Sequence, residues 1–362
     1  MRFHILGIPH TASNRDWLCC AFTQKVIKLC AMLKARGHYV IHYGNAASDV
    51  HCDEHVSVTA SDDVGPPEDY LSFDQDSRVY KIFHHAAIAA IEKRKQPHDF
   101  LLCMWGHGHR PVADAHSDLL VVEPGIGYAR GHFAPFKVFE SYALLHAFYG
   151  LDGVETPGKL KWYDVVIPNY FDPADFEFRY DKEDFLLFLG RVIYGKGVQI
   201  AVEIARAAAM KLVVAGPGQY DGVETIGLIN AEQRRDLLAR AKALIAPSTY
   251  AEPFCGTMTE AHFSGTPAIT SDWGAFAENN LHGITGFRCR TFEHFVWAVN
   301  NIDRISPEQC RAFAEQNFTM DRISEMYDEY FWSVMAIATG KGWYEMRQRQ
   351  DLDWLTRCFP SR

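Results

Sequence analysis

Two carboxylates and two cations carry the chemistry that this chain can do. Glu252 and Glu260 stand eight positions apart across the loop Glu252-Pro253-Phe254-Cys255-Gly256, and the second lies one turn into a helix that the sequence predicts to begin at Gly256-Thr257. Upstream, Arg191 and Lys196 follow the apolar run Phe185 to Gly190, which reads as a buried strand. Backbone N–H groups at a helix start have no intrahelical partners and carry the positive end of the dipole, so a phosphate is welcome at Gly256 and Thr257. Arg191 and Lys196 add two full charges to the same diphosphate. Isolated basic residues are more often simply solvated, but this pair sits between a strand end and a helix start, which aims it at a ligand. Glu260, held on its helix, can accept hydrogen bonds from both ribose hydroxyls while also favouring the helix dipole. Glu252 precedes a proline and is kept out of a helix, so it reads as a free carboxylate on a loop, facing sugar hydroxyls.

The order of these pieces is informative. Gly190-Arg191, Lys196-Gly197, Gly216-Pro217-Gly218, Pro247-Ser248, Glu252 to Gly256, Glu260-Ala261 and Gly265 to Pro267 follow one another, with Asn169 ahead of Phe171-Asp172-Pro173 and Glu278 ahead of Thr285-Gly286. This set resembles the donor-binding half of retaining GT-B glycosyltransferases of family 4, the glycosyl transferases group 1. The likeness is good over about residues 165 to 290 and holds only in outline before that. The resemblance implies an α/β GT-B fold, two Rossmann-like domains with parallel sheets facing across a cleft. It implies a nucleotide-sugar donor, with uridine the family's commonest base, and transfer of a hexose or pentose to an acceptor hydroxyl with retention, without metal or cofactor. It assigns catalysis to Arg191, Lys196 and Glu252. Donor binding falls to Gly190, Gly216, Gly218, Ile226, Phe254, Cys255, Gly256, Thr257 and Glu260, with the glycine turn and Ile226 to Leu228 beside the base. A GT-B-like nucleotide-sugar epimerase and a non-catalytic sugar-nucleotide-binding protein are the alternatives. A metal-dependent GT-A enzyme would need an Asp-x-Asp at a strand end, whereas Asp74-Gln75-Asp76 and Asp351-Leu352-Asp353 read as loop and terminal helix.

The acceptor side is less sharply written. Many family members carry a histidine near the sugar, but the corresponding segment here, Val122 to Tyr128, has none, and Glu123 or His109 is left to substitute, with Tyr128 beside them. His107 and His109 lie one residue apart after Trp105. Without a third ligand they read as a solvated active-site loop, not a metal site. The turn His10-Thr11-Ala12-Ser13-Asn14 can present N–H groups to phosphate or sugar through His10, Thr11 and Ser13, or can simply cap the helix that follows.

The elements that must position these groups alternate between short β-like runs and helical patterns, which argues for parallel sheets flanked by helices. Strands are expected at Phe3 to Gly7, Tyr39 to Tyr43, Phe100 to Trp105, Leu119 to Glu123, Phe185 to Leu189, Lys211 to Ala215, Ala243 to Pro247 and Pro267 to Thr270. Residues 49–77, acidic and turn-rich around Gly65-Pro66-Pro67, read as a surface connection. Domains are expected over residues 1–172 (acceptor) and 173–338 (donor), with a C-terminal helix over 339–362 crossing back to the first. At 362 residues and 48% hydrophobic content the chain can bury two cores,. Nine cysteines lack a C-x-x-C spacing, which points to reduced thiols,. The net charge of −9 disfavours a nucleic-acid acceptor gripped through its phosphates,. A carbohydrate or already glycosylated acceptor is expected instead. No apolar run reaches bilayer length and Met1 to Pro9 reads as a strand and turn, so a soluble cytoplasmic protein is expected,. The oligomeric state is left open.

Overall fold

A computed structural model describes residues 1–128, 130–152, 161 and 163–341. The chain divides into two compact units, each with its own parallel sheet. The first contains residues 1–140, 161, 163–170 and 320–341; the second contains Ser141–Asp152 and Phe171–Thr319. Residues 342–362, most of the expected crossing helix, lie outside the described residues.

The first unit is built on β1 (Arg2–Leu6), β2 (Tyr39–Asn45), β3 (Glu54–Thr59), β4 (Phe100–Leu102), β5 (Leu120–Ile126), β6 (Phe136–Phe139) and β7 (Val165–Val166), in the order β3-β2-β1-β4-β5-β6-β7. All pairs are parallel. α1 (Ala21–Ala35), α2 (Arg78–Glu92) and α3 (Arg110–Ala115) follow β1, β3 and β4. Leu6, Ile41, Leu101 and Val121 pack with Phe83, Ala87 and Ile91 of α2 and with Val112 of α3. The helix from Met320 to Ala338 also packs in this unit: Phe331 meets Phe3 edge-on with centroids 4.8 Å apart, and Arg36 donates to Ser324 Oγ at 2.8 Å.

β3 overturns one expectation, since it lies inside the stretch read as a surface connection. Its sequence, Glu-His-Val-Ser-Val-Thr, is polar because it is an edge strand that buries only its last two residues. Edge strands are normally blunted in this way.

The second unit has β8 (Glu183–Leu189), β9 (Lys211–Ala215), β10 (Ala241–Ala246), β11 (Ala268–Ser271) and β12 (Gly286–Cys289), ordered β12-β11-β10-β8-β9 and again parallel. Its helices are α4 (Tyr142–Asp152), α5 (Val198–Ala207), α6 (Ala231–Arg240), α7 (Gly256–Phe263), α8 (Phe276–Asn279), α9 (Phe292–Asn300) and α10 (Pro307–Phe318), and the helix at Met320–Ala338 is α11. β8 shows why its run is apolar throughout. Leu186 and Phe188 pack towards α5 and α9, while Phe185, Leu187 and Leu189 pack towards α6 and α7. A central parallel strand covered on both faces needs this pattern. Because β8 lies between β9 and β10, the chain winds first one way and then the other. The sheet therefore reverses its winding between β8 and β10. Ligands of open α/β sheets sit beyond the carboxyl ends of the strands at such a reversal, so the loops after β8 and β10 are where chemistry belongs.

Among the described residues no helix is long and apolar enough to cross a membrane. Three histidines of the first unit are buried in the neutral form. Burial lowers His10 to about 4, His109 to about 3 and, with help from His55, His42 to about 3. The unfolded chain takes up protons near pH 6.5 that the folded chain refuses. Stability should thus be complete above that pH and fall as pH drops from about 6.5 towards 4, by up to about 1.4 kcal/mol per pH unit for each histidine. Urea unfolding of the first unit, followed across that range, should show this slope; a flat profile would contradict the assignment.

Candidate active site

The loop after β8 begins at Gly190 and ends in a short 3-10 turn, Tyr194–Lys196, before α5. The loop after β10 runs from Pro247 to Cys255 and delivers α7. The two loops are laced together. Thr249 N–H donates to the Gly195 carbonyl at 2.9 Å, and a Cβ at Gly197, whose φ is +77°, would lie 2.1 Å from the Pro247 carbonyl oxygen. Only glycine permits that approach. Gly190 and Gly216 meet the same way: a Cβ on Gly216 would lie 2.0 Å from the Gly190 carbonyl oxygen. Val192 N–H reaches the Pro217 carbonyl at 2.9 Å. Gly190, Gly216 and Gly218 are therefore sites of close backbone packing that hold the turns after β8 and β9 in register. Ile226 and Leu228, on the strip that pairs with β9 through Ile226 N–H and the Val214 carbonyl, are partly exposed at its carboxyl end.

Lys196 and Glu252 come together, and here the expectation of a free carboxylate fails. Glu252 is only 3% exposed. Its Oε1 accepts from Lys196 Nζ at 2.7 Å and from Ser248 Oγ at 2.6 Å. Its Oε2 accepts from Lys196 Nζ at 2.9 Å and from Tyr250 OH at 2.8 Å. A carboxylate has about four lone-pair sites, so this one is fully occupied. Pro253 frees the residue from a helix as expected; what the local sequence does not reveal is the burial that then demands a counterion. Burial pulls the Lys196 pKa down, but the charge and hydrogen bonds of Glu252 together with Cys255 and Tyr250 outweigh it and hold the ammonium above its ordinary value. Burial and then the same carboxylate raise Tyr250 to about 12 and Cys255 to about 11, so both keep their protons at neutral pH.

Arg191 is exposed and, among the described residues, its guanidinium takes no protein partner. Cys255 caps α7 from the left-handed region, with φ +67°. A side chain other than glycine in that conformation is strained, and strain of this kind gathers at functional sites. The first N–H groups of α7, at Gly256 and Thr257, follow it directly. The Phe254 ring is fully buried, stacked on Phe171 at 6.3 Å and edge-on to Phe318 at 5.7 Å, so its side chain anchors the loop. Glu260 is held from α6, Arg234 Nε donating to its Oε2 at 2.7 Å. Nothing in the sequence of Ala231–Arg240 marks Arg234 among its neighbouring arginines, and Ser248 and Tyr250 carry no local signal of their contacts with Glu252.

The acceptor-side candidates of the first unit are mostly buried. His109 is fully buried, not solvated: its Nε2 donates to the Gly7 carbonyl at 2.9 Å and its ring lies parallel to Phe83 at 5.9 Å. Glu123 is buried and accepts from Tyr128 OH at 2.6 Å and from the N–H groups of Phe133 and Ala134, both at 2.8 Å. It ties down the loop after β5, with Tyr128 as one of its donors. His10 is buried, its Nε2 donating to the Tyr70 carbonyl at 3.2 Å and its Nδ1 accepting from Tyr80 OH at 2.8 Å. Thr11 pairs with Thr23 through their hydroxyls at 2.7 Å. Ser13 is buried, and among the described residues its Oγ lacks a partner. Asn14 caps only the short turn Arg15–Trp17, whereas α1, the helix that follows, has no side-chain cap at Cys20, so this segment does not cap it. A cluster unforeseen in the sequence lies at the carboxyl end of the same sheet: Lys25 is paired with Glu140, whose Oε2 also accepts from Asn169 at 3.0 Å.

Residues 174–319 match the family described as glycosyl transferases group 1. An uncharacterised glycosyltransferase of Methanocaldococcus jannaschii is 27% identical over 179 residues, 44% of this chain and 44% of that protein, so the likeness covers less than half of either. A glycosyltransferase involved in avilamycin A biosynthesis superposes with a TM-score of 0.67 at 20% identity, over 92% of this chain and 98% of that one. The Anabaena protein HepE, solved in complex with UDP and glucose, does so with a TM-score of 0.64 at 16% identity, over 92% of this chain and 100% of that one. The second unit thus contains a glycosyl transferases group 1 domain, and the α/β fold is that of GT-B glycosyltransferases.

The ion pair makes a stability prediction. Lys196→Met leaves Glu252 buried without its cation and should cost about 2 kcal/mol, somewhat below the usual range because Lys196 is partly exposed. Adding Glu252→Gln to that variant should recover part of the loss. Additive losses in chemical denaturation would show that the two groups are not coupled.

Proposed function

We propose that the chain is a retaining glycosyltransferase that moves a sugar from a UDP-sugar to an acceptor hydroxyl without needing a metal. The observation that carries this reading is the convergence of the Lys196–Glu252 pair, Arg191 and the start of α7 at the winding reversal of the second sheet. Breaking the bond from the anomeric carbon to phosphate loads negative charge on the departing diphosphate. Lys196, Arg191 and the N–H groups of Gly256 and Thr257 are groups of the right sign to receive that charge. Glu260 is expected to hold the ribose: Arg234 occupies its Oε2, and among the described residues no protein donor takes its Oε1. HepE, a structural relative, was solved with UDP and glucose, which favours uridine as the base here.

Retention follows if the acceptor hydroxyl attacks from the face that the diphosphate leaves. The bond from acceptor oxygen to anomeric carbon forms as the bond to phosphate oxygen breaks, and that phosphate oxygen takes the acceptor's proton. No enzyme carboxylate is then required as a nucleophile. The four hydrogen bonds on Glu252 agree with such a role, because they blunt its nucleophilicity.

Arg191→Ala is a cleaner test than a change at Lys196, since among the described residues the Arg191 side chain has no partner to orphan. It should lower turnover of UDP-sugar by about a hundredfold or more with the unfolding midpoint unchanged. Near-normal turnover would sink the assignment. Thermal shifts with UDP, GDP, ADP and their sugars, with and without chelator, would identify the base and test the independence from metal.

A further inference from the structure

The two carboxylates of the site are not in the same state. Among the described residues Glu260 keeps its Oε1 open, while Glu252 has every acceptor position filled by Lys196, Ser248 and Tyr250. A ribose can therefore dock on Glu260 without rearrangement. A sugar hydroxyl has no lone pair to meet on Glu252 until one of its donors leaves. Ser248 and Tyr250 are neutral, whereas Lys196, whose Nζ also lies 5.3 Å from the centre of the Tyr250 ring, is the charged group that a diphosphate would draw away.

We propose that Lys196 is exchanged between two anions, passing from Glu252 to the donor diphosphate as the nucleotide binds, and that Ser248 and Tyr250 are positioning residues that keep the vacated carboxylate stable and aimed at the sugar. The inference rests on the donor-site reading above and deepens it. When Lys196 leaves, the buried Glu252 keeps only its two neutral donors, so the contact of Lys196 with the diphosphate must offset the cost of parting the pair. Once Lys196 moves, each oxygen of Glu252 retains one neutral donor and gains one open acceptor position. Phosphate recognition thereby creates the sugar's hydrogen-bonding site, and the nucleotide half of the donor is read before the sugar half.

The consequence for affinity has opposite signs at neighbouring residues. Glu252→Gln removes the competing anion while keeping the shape, so a nucleoside diphosphate without sugar should bind about tenfold tighter than it binds the wild-type chain. Tyr250→Phe removes one of the two donors that support Glu252 after the exchange, so Lys196 is released less readily. The same nucleotide should then bind about threefold to tenfold more weakly. The phenyl ring would still cover Gly195, where the Tyr250 ring now lies. Calorimetric titration of UDP, GDP and ADP into the three full-length proteins decides the matter. A purely structural role for the cluster predicts that both variants weaken binding, and that result overturns the exchange. So does an affinity that neither variant changes. Should Glu252→Gln fail to fold, unaltered affinity in Tyr250→Phe overturns it alone. If none of the three nucleotides binds the wild-type chain, the fault lies with the donor-site reading beneath it.

Discussion

A carboxylate taken out of water must be given donors, and the second unit is organised around one such group. Glu252 is buried in the β10 loop, and its charge is met by two neutral donors of that loop and by an ammonium that the β8 loop brings to it. That meeting depends on strand order. With β8 lying beside β10, the loops that leave their carboxyl ends emerge as neighbours even though 56 residues separate the paired side chains. The ion pair is thus a tertiary contact written into the winding of the sheet, and the winding reversal is the same feature that leaves room for a ligand.

Close backbone approach is the second condition. Gly197 lets the turn carrying Lys196 press against Pro247, and the hydrogen bond from Thr249 to Gly195 clamps the two loops from the other side. Rigidity matters because electrostatic stabilisation works only when the charges are in place before the reaction begins. The left-handed backbone at Cys255 then turns the chain sharply into α7, so that its first N–H groups arrive beside the same pair of loops.

The elements were largely legible because fully buried parallel strands announce themselves: Phe185 to Leu189 and Lys211 to Ala215 appear where their apolar runs put them. β3 was not legible, since a half-exposed edge strand is written in the same residues as a loop. Within the site, spacing and residue type single out Arg191, Lys196, Glu252 and Glu260, and the structure brings Lys196 against Glu252. Partners were a different matter. Arg234 reaches Glu260 across a helix pair, and Tyr250 and Ser248 are distinguished only by which oxygen they face. In the first unit the histidines misled, because a neutral imidazole makes a good core residue and its type alone does not tell burial from exposure. His109 under the Gly7 carbonyl is the instance.

Glu278 shows how the chain's path constrains anyone wishing to dissect it. Its carboxylate accepts from the first two N–H groups of α4, Tyr142 at 2.9 Å and Ala143 at 2.7 Å, although α4 comes more than a hundred residues earlier. The second unit is accordingly discontinuous, and a fragment expressed from Phe171 to Thr319 would leave out one of its own helices. Such a fragment would leave Glu278 to take water in place of the two N–H groups that α4 supplies.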